Sequence, residues 1–353
     1  MHPLALYRQF HPRLCGLVVV ATWLGCAPPD AVPAFLDPPI ACNADLVRGT
    51  SYQLVTKQLL LPRPTGGSSY SEDYDGDNKP ENQLKHLVNL ADLVSFDIRG
   101  ALDQANQAGE GLLLLQLTTP ELENGQADCA SLTVRWAPPP GPTGKPPKFD
   151  GTDSFPAASA DVFTFYGRID NLVFQSVRPR DQEPGVDSPL NLRWPLTPTE
   201  TVLMPLRGVG VSARLTTDNR NKLVRLTEGS IHGVEPVGVM RALLVPAVAK
   251  VVTAAINSAP AGDWRQGLIT WLEDQKHGAA SQRKCLVTAD CCARAPDTCK
   301  ILPAEVMESV LGDVLTPDVE VFDDDGNWRP RPRGKATNGF SVGIGFEAVL
   351  ATF

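Results

Sequence analysis

Acidic residues at alternate positions form the most chemically specific motif in this chain. They are Asp73, Asp75, Asp77 and Glu81. Carboxylates with this spacing in a tight turn converge on one hard cation, which takes six to eight oxygen ligands. We therefore predict that all four acids are metal ligands and that the ion is a structural calcium. The alternative is a solvated acidic loop in front of the helix that follows.

Support for catalysis is weaker than support for ion binding. Three histidines lie beyond the amino-terminal segment, His86, His232 and His277, and their spacing matches no metal site or triad. We expect each to lie on the surface or on a helix face. The chain also lacks a G-x-S-x-G elbow and a phosphate-binding loop. A hydrolase acting on envelope or extracellular glycans stays as the alternative function, because that chemistry needs only two carboxylates. We expect a non-enzymatic protein.

The first 25 residues have the organisation of an export signal. Arg8 and Arg13 stand in a basic segment without acids, and the apolar run Leu14–Leu24 follows, with Gly25 after it. This order is typical of a secretory signal peptide. The apolar run is much shorter than the roughly 20 residues that span a bilayer. We therefore predict a cleaved signal over residues 1–25.

Cys26 follows the signal directly. The ending Leu24-Gly25-Cys26 resembles a bacterial lipobox, although Trp23 occupies the position where such motifs usually have leucine. We predict that Cys26 carries the lipid and anchors the protein in the cell envelope, at the outer membrane. The alternative is an ordinary secreted protein in which Cys26 is not lipidated.

The number of cysteines agrees with this anchor. Of eight cysteines, Cys15 leaves with the signal and Cys26 takes the lipid. The six that remain are Cys42, Cys129, Cys285, Cys291, Cys292 and Cys299. An even set in an oxidising compartment can close disulfides with none left over. A zinc site built from the last four is the alternative, but its C-x2-C spacing is missing.

Charge and composition limit the partners and the domain organisation. The net charge is −8, and loss of Arg8 and Arg13 with the signal changes it to −10. An acidic chain is repelled by phosphate backbones, so we expect a membrane contact through the lipid but no nucleic acid. Residues 26–45 form a Pro-rich spacer, and residues 46–353 form a single β-rich domain with a helical subregion at about 236–316. We interpret the Pro-rich stretch 137–147 as a loop within it, the alternative being a linker.

Patterning predicts an α+β fold whose core is a sandwich or partial barrel. Strands are expected at residues 51–61, 111–117, 132–136, 162–166, 209–215 and 340–350, with a turn at 218–221. The alternation is clearest in the last strand, where even-numbered residues from Phe340 to Leu350 share one face.

Apolar spacing predicts five helices, at residues 80–94, 97–108, 237–256, 263–275 and 303–315. Pro80 should occupy the first turn of the first helix, and Asp97 should cap the second. The third contains Pro246, which should kink it. Arg241 and Lys250 lie on roughly opposite faces of that helix, so we expect a largely buried core helix and not a membrane span.

Several motifs together resemble a known protein family. The run D-x-D-G-D-x-x-x-E-N-Q-L covers residues 73–84, and further matching segments are 101–105, 229–233, 315–319 and 341–346. These resemble a family of uncharacterised lipoproteins abundant in myxobacteria. The acidic loop itself is similar to the calcium loops of integrin-type propeller blades and thrombospondin type 3 repeats. The family resemblance implies an envelope lipoprotein with a calcium-type loop, and it implies no activity.

The same resemblance implies an EF-hand-like loop between the last two helices. Here Ile301 and Glu305 keep the spacing of positions 8 and 12, but positions 1, 3 and 5 are Arg294, Pro296 and Thr298. The resemblance therefore implies a degenerate helix–loop–helix without an ion.

Cysteines occupy this degenerate loop, and we infer that disulfides replaced the metal as its fastener. Closing the loop from Cys285 to Cys299 would contribute roughly 3 kcal/mol. The adjacent Cys291 and Cys292 are unsuited to bond each other. We expect one or both to reach elsewhere, with Cys42 and Cys129 as candidates.

Overall fold

The computed structural model describes residues 42–63, 70–74, 80–93, 97–138, 145–156, 162–177, 190–197, 200–258, 301–322 and 337–353. Within these ranges the strands are β1 Thr50–Leu60, β2 Leu113–Thr119, β3 Ala127–Trp136, β4 Val162–Asp170, β5 Val173–Ser176, β6 Leu190–Thr197, β7 Glu200–Thr217, β8 Leu223–Pro236 and β9 Gly339–Leu350. The helices are α1 Leu84–Leu93, α2 Ile98–Ala108, α3 Val237–Ser258, α4 Pro303–Glu308 and α5 Val310–Val314.

Eight of these strands close into an antiparallel β-barrel. The order of neighbours is β5-β4-β3-β2-β1-β9-β8-β7-β6, and β5 also pairs with β7. The ring closes because β7 is 18 residues long. Its first half pairs with β6, as in Leu192↔Met204, and its second half pairs with β5, as in Phe174↔Ala213. The predicted β-rich core is confirmed, and in place of a sandwich or a partial barrel the sheet is a closed ring.

Strand β9 follows the predicted alternation on its inner face. Phe340, Val342, Ile344, Phe346 and Ala348 are all buried in the main apolar cluster, to which α1, α2 and α3 also contribute. Its other face is buried as well, since Ser341 is 0% exposed. A segment of chain therefore covers the outside of the barrel at β9, which alternation along the strand does not predict.

Helix α2 has the predicted ends, whereas α1 does not. Asp97 accepts a hydrogen bond from the Gly100 backbone N–H at 2.7 Å, and Gly109 ends the helix with φ +83°. Helix α1 begins at Leu84 and not near Pro80. The reason is that the Glu81 backbone forms an antiparallel bridge with Glu72, so its N–H and carbonyl are used there and not in the helix.

Helix α3 contains Pro246 and lies against β7 on the barrel. Its segment Val237–Ala254 is long and apolar enough to span a membrane by length and composition, with a mean hydropathy of 1.7. Only 39% of that segment is buried, so the expectation of a largely buried helix is wrong. Arg241 and Lys250 are both exposed, and Lys250 pairs with Glu200 at the start of β7.

The last predicted helix is divided in two. Ser309 has an extended backbone at φ −92° and ψ 179°, and its hydroxyl accepts a hydrogen bond from the Leu311 N–H at the start of α5. The helix predicted at 263–275 and the cysteines Cys285, Cys291, Cys292 and Cys299 lie outside the described residues.

A disulfide joins Cys42 to Cys129 on β3, with their Cα atoms 5.2 Å apart. This bond leaves neither cysteine available to Cys291 or Cys292, contrary to the pairing considered from the sequence.

Strands β3 and β4, which flank the Pro-rich stretch 137–147, pair directly with each other. The stretch therefore connects two neighbouring strands of one sheet, as expected for a loop within the domain.

Candidate metal centre

The predicted ion-binding loop belongs to a segment that crosses the outer face of β9. The backbone of Tyr70 lies so close to Gly343 that a Cβ there would be 1.8 Å from the Tyr70 carbonyl oxygen. The Tyr70 ring lies over Gly345, where a Cβ would be 2.2 Å from Cζ. The absence of side chains at these two glycines therefore lets the segment pack directly on β9.

A short antiparallel bridge closes the loop at its base. The Glu81 N–H donates to the Glu72 carbonyl at 2.9 Å, and the Glu72 N–H donates to the Glu81 carbonyl at 3.3 Å. The Glu81 carboxylate turns back across this base and accepts a hydrogen bond from the Tyr74 N–H at 2.9 Å. The last predicted ligand, Glu81, is therefore held beside the peptide that follows the first, Asp73. The other two, Asp75 and Asp77, lie outside the described residues.

Side-chain amides attach the far end of the segment to β9. Asn82 is 2% exposed, and its amide donates to the Gly343 carbonyl at 3.0 Å and accepts from the Gly343 N–H at 3.2 Å. The Gln83 N–H donates to the carbonyl of Ser341 at 3.0 Å and to its hydroxyl at 2.8 Å. These contacts hold Asn82 and Gln83, just after the predicted loop, against β9.

A buried polar chain lies beneath the loop. Tyr74 is 1% exposed, and its hydroxyl is 3.2 Å from His232 Nδ1. The other ring nitrogen, Nε2, is 3.2 Å from the Glu72 carboxylate. Burial, followed by the charges of Asp318 and Glu81, raises the pKa of Tyr74 well above its ordinary value. A neutral His232 with its proton on Nε2 satisfies both contacts, accepting from Tyr74 and donating to Glu72.

The position of His232 differs from the expectation of a surface or helix-face residue. It lies on β8, is 7% exposed, and fits against Gly210, where a Cβ would be 2.2 Å from the imidazole Cε1. A carboxylate, an imidazole and a hydroxyl in line form the arrangement in which the carboxylate orients the imidazole and the imidazole acts as a base toward the hydroxyl. The Tyr74 hydroxyl is enclosed, and its contact with His232 joins the segment at Tyr74 to β8. His86 lies on α1, where burial and then Lys85 lower the pKa of its imidazole.

An apolar cluster also packs around Tyr74. Its members are Tyr74, Val234, Val319, Val321 and Phe322. Asp318, at the edge of this cluster, accepts hydrogen bonds from the backbone N–H and the hydroxyl of Ser341. The loop is therefore supported by apolar packing as well as by hydrogen bonds.

The structure describes two of the four predicted calcium ligands, Asp73 and Glu81. Among the described ranges, no three side chains of the types His, Cys, Asp and Glu form a metal-binding group. Two of the four predicted ligands, however, fall in the interval 75–79 that those ranges omit. Asp73 and Glu81 supply the oxygen donors that calcium prefers. Cys26, the predicted lipid site, also lies outside the described residues.

Glu235 is a residue of interest that patterning did not reveal. It is 0% exposed on the inner face of β8, opposite Phe340 of β9. Within the described chain neither carboxyl oxygen has a hydrogen-bond partner, and burial raises the pKa of Glu235 to about 8. The only sequence signal was an acid within an otherwise apolar strand end.

Comparisons with known proteins leave the interpretation to this geometry: no protein-family model, no curated protein and no solved structure matches the chain.

Proposed function

We propose that this protein is a lipid-anchored protein of the cell envelope, related to the myxobacterial lipoproteins it resembles, whose barrel carries a structural calcium loop. Its role is to bind or organise another envelope component, without catalysis. The observation that carries the calcium part is the closed base of the loop. There the Glu81 carboxylate is turned inward against the Tyr74 N–H at 2.9 Å.

Calcium suits this loop better than the other common ions. Carboxylate oxygens are hard ligands, and the four acids at 73, 75, 77 and 81 would supply most of a coordination shell of six to eight oxygens. Extracellular sites of this type bind with Kd values on the order of 10⁻⁴ to 10⁻³ M. Such a site is a permanent fastener for the loop and not a switch.

The anchor and the spacer support an envelope location. Cys26 and Cys42 are 16 positions apart, and Cys42 is bound to the barrel wall at β3. An extended Pro-rich segment of this length reaches about 50 Å. The spacer would hold the barrel away from the membrane surface. The disulfide would fix the point on the barrel, at β3, where the spacer is attached.

We propose that disulfides of the cysteine-rich segment also stabilise the protein. The predicted cysteine loop between residues 285 and 299 would join the helix predicted at 263–275 to α4 as a degenerate EF-hand-like helix–loop–helix. Disulfides would take the place of an ion there. Both devices suit an oxidising, calcium-containing compartment.

Calcium binding is tested by thermal unfolding of the purified protein with calcium chloride or with a chelator. At 100 times Kd, an ion adds about 2.7 kcal/mol to the free energy of unfolding. We expect the melting temperature to rise by several degrees with calcium. The rise should disappear in Asp75→Asn and persist in Asp128→Asn, an exposed acid on β3 that serves as the matched control. An equal rise in both variants, or none in the unaltered protein, would refute the ion site.

The anchor is tested independently by mass spectrometry of the amino-terminal peptide from native membranes. We expect an acylated Cys26 as the first residue, and release of the Cys26→Ser variant into the soluble fraction. An unmodified Cys26, or a first residue elsewhere, would contradict the anchor and leave the calcium result unaffected.

A further inference from the structure

A cleft of about 280 Å³ lies where β1 leaves the barrel and meets α2. Its walls come from the end of β1, from the residues just after it, from Tyr70 and from the first turns of α2. The volume is near the lower end of the range for small-molecule sites, so an occupant would be a compact molecule.

Two guanidinium groups line this cleft. Arg99 of α2 donates to the carbonyl of Leu61 at 3.2 Å and to the carbonyl of Pro62 at 2.8 Å, which fixes the plane of its guanidinium. Arg63 stands exposed at the cleft, and within the described part of the chain no ion pair involves it. Among the described residues of the lining Asp103 is the only acid, so the side chains of those residues sum to +1. That sign is opposite to the net charge of −8 for the whole chain.

Apolar surface lies beside these charges. The lining includes Leu59, Leu61 and Leu102, which are 3%, 6% and 4% exposed. Tyr70 adds an aromatic ring whose position is set by its contact with Gly345. A ligand in this cleft would therefore meet the Tyr70 ring and the small exposed parts of these leucines as well as the N–H donors of the arginines.

The geometry points to a small organic anion as the ligand of this cleft: a carboxylate on a short apolar or aromatic group. The carboxylate would be held between Arg63 and Arg99, because a guanidinium presents several N–H donors in one plane and matches a carboxylate. The apolar group would rest against Leu102 and the ring of Tyr70. A cationic ligand would be repelled by the two arginines, and a neutral ligand would offer no carboxylate to the exposed guanidinium of Arg63.

Calorimetric titration of the purified protein with phenylacetate tests this site, with 2-phenylethanol as the neutral probe of similar shape. We expect phenylacetate to bind and 2-phenylethanol to bind at least ten times more weakly. Arg63→Gln should weaken phenylacetate at least fivefold, and because Arg63 is exposed this variant should fold normally. The matched control is Arg220→Gln, an exposed arginine in the turn between β7 and β8, which should leave the affinity unchanged.

Three results would overturn the proposal: no binding of phenylacetate, equal binding of the two probes, or equal affinity in Arg63→Gln and in the unaltered protein. A loss of affinity in Arg220→Gln equal to that in Arg63→Gln would also overturn it, since the effect would then follow net charge and not the cleft. The calcium test and this test use different variants and different ligands, so the two proposals fail separately.

Discussion

Two buried polar residues of β8 lie only three positions apart and have opposite surroundings. His232 faces outward and is held between Tyr74 and Glu72 at 3.2 Å on each side. Glu235 faces inward opposite Phe340, and in the described ranges neither of its oxygens has a hydrogen-bond partner. Burial of a polar side chain therefore affects the stability of the fold differently at the two positions. A polar group that folding supplies with partners stabilises the fold, whereas one without them destabilises the fold through its charged form.

The largest expected difference between His232 and Glu235 is the pH dependence that Glu235 gives to the free energy of unfolding. The pKa of Glu235 is raised from 4.5 to about 8, so the folded protein holds this proton more tightly than the unfolded chain does. Between these two values the folded state binds more protons, and the free energy of unfolding therefore falls as pH rises. The full loss, reached above pH 8, is at most about 5 kcal/mol, since a tenfold change in proton affinity corresponds to about 1.4 kcal/mol.

The change that tests this is Glu235→Gln, which keeps the shape of the protonated acid and cannot ionise. We expect its stability advantage over the unaltered protein to grow steadily from pH 5 to pH 8 in urea denaturation. Glu228→Gln, at an exposed position on the same strand, is the control and should show a constant difference. A constant difference for Glu235→Gln as well would show that the acid is not destabilised by burial.

A smaller effect on stability is expected at Gly343, where the segment that contains Tyr70 packs on the outer face of β9. Gly343→Ala places a Cβ against the Tyr70 carbonyl, where only 1.8 Å is available, so the segment must shift away from β9. We expect a loss of about 2–3 kcal/mol in the free energy of unfolding. Gly238→Ala at the start of α3 is the control, because nothing lies within 4 Å of its added Cβ. If the two variants unfold alike, the segment is not seated on β9.

The smallest effect should follow loss of one hydrogen bond in the polar chain. Tyr74→Phe removes the hydroxyl that faces His232 Nδ1 and leaves that nitrogen buried without this partner. The expected loss is about 1–2 kcal/mol, measured by chemical denaturation. Tyr52→Phe on β1 is the control and should change stability by less. If Tyr74→Phe has the same free energy of unfolding as the unaltered protein, the side-chain contacts of His232 with Tyr74 and Glu72 do not stabilise the loop.

Local patterns predicted the parts of the fold that depend on neighbours in sequence. The turn at 218–221 is one example, since Asp218 accepts hydrogen bonds from the N–H groups of Arg220 and Lys222 at 2.8 and 2.9 Å. The caps of α2 at Asp97 and Gly109 are another. Each requires only a side chain and a backbone group within a few residues.

The candidate site was predictable only as a spacing of acids. The alternation of Asp73, Asp75 and Asp77 is visible in the sequence, but the contacts that support the loop are not. Asn82 and Gly343 are 261 positions apart, and Tyr74 and His232 are 158 positions apart. No periodicity within β8 or β9 indicates which residues will cover their outer faces.

The sequence by itself determined the caps of α2 and the turn at 218–221, and it predicts an export signal and an acidic ion-binding loop, because each depends on side chains that are close along the chain. Only the tertiary structure decided that the sheet closes through β5 and β7, and that Cys42 bonds to Cys129. It also decided that His232 acquires partners while Glu235 is buried without them in the described chain. The physical reason is that partners and solvent exclusion come from other strands, and the closure of the barrel brings those strands together.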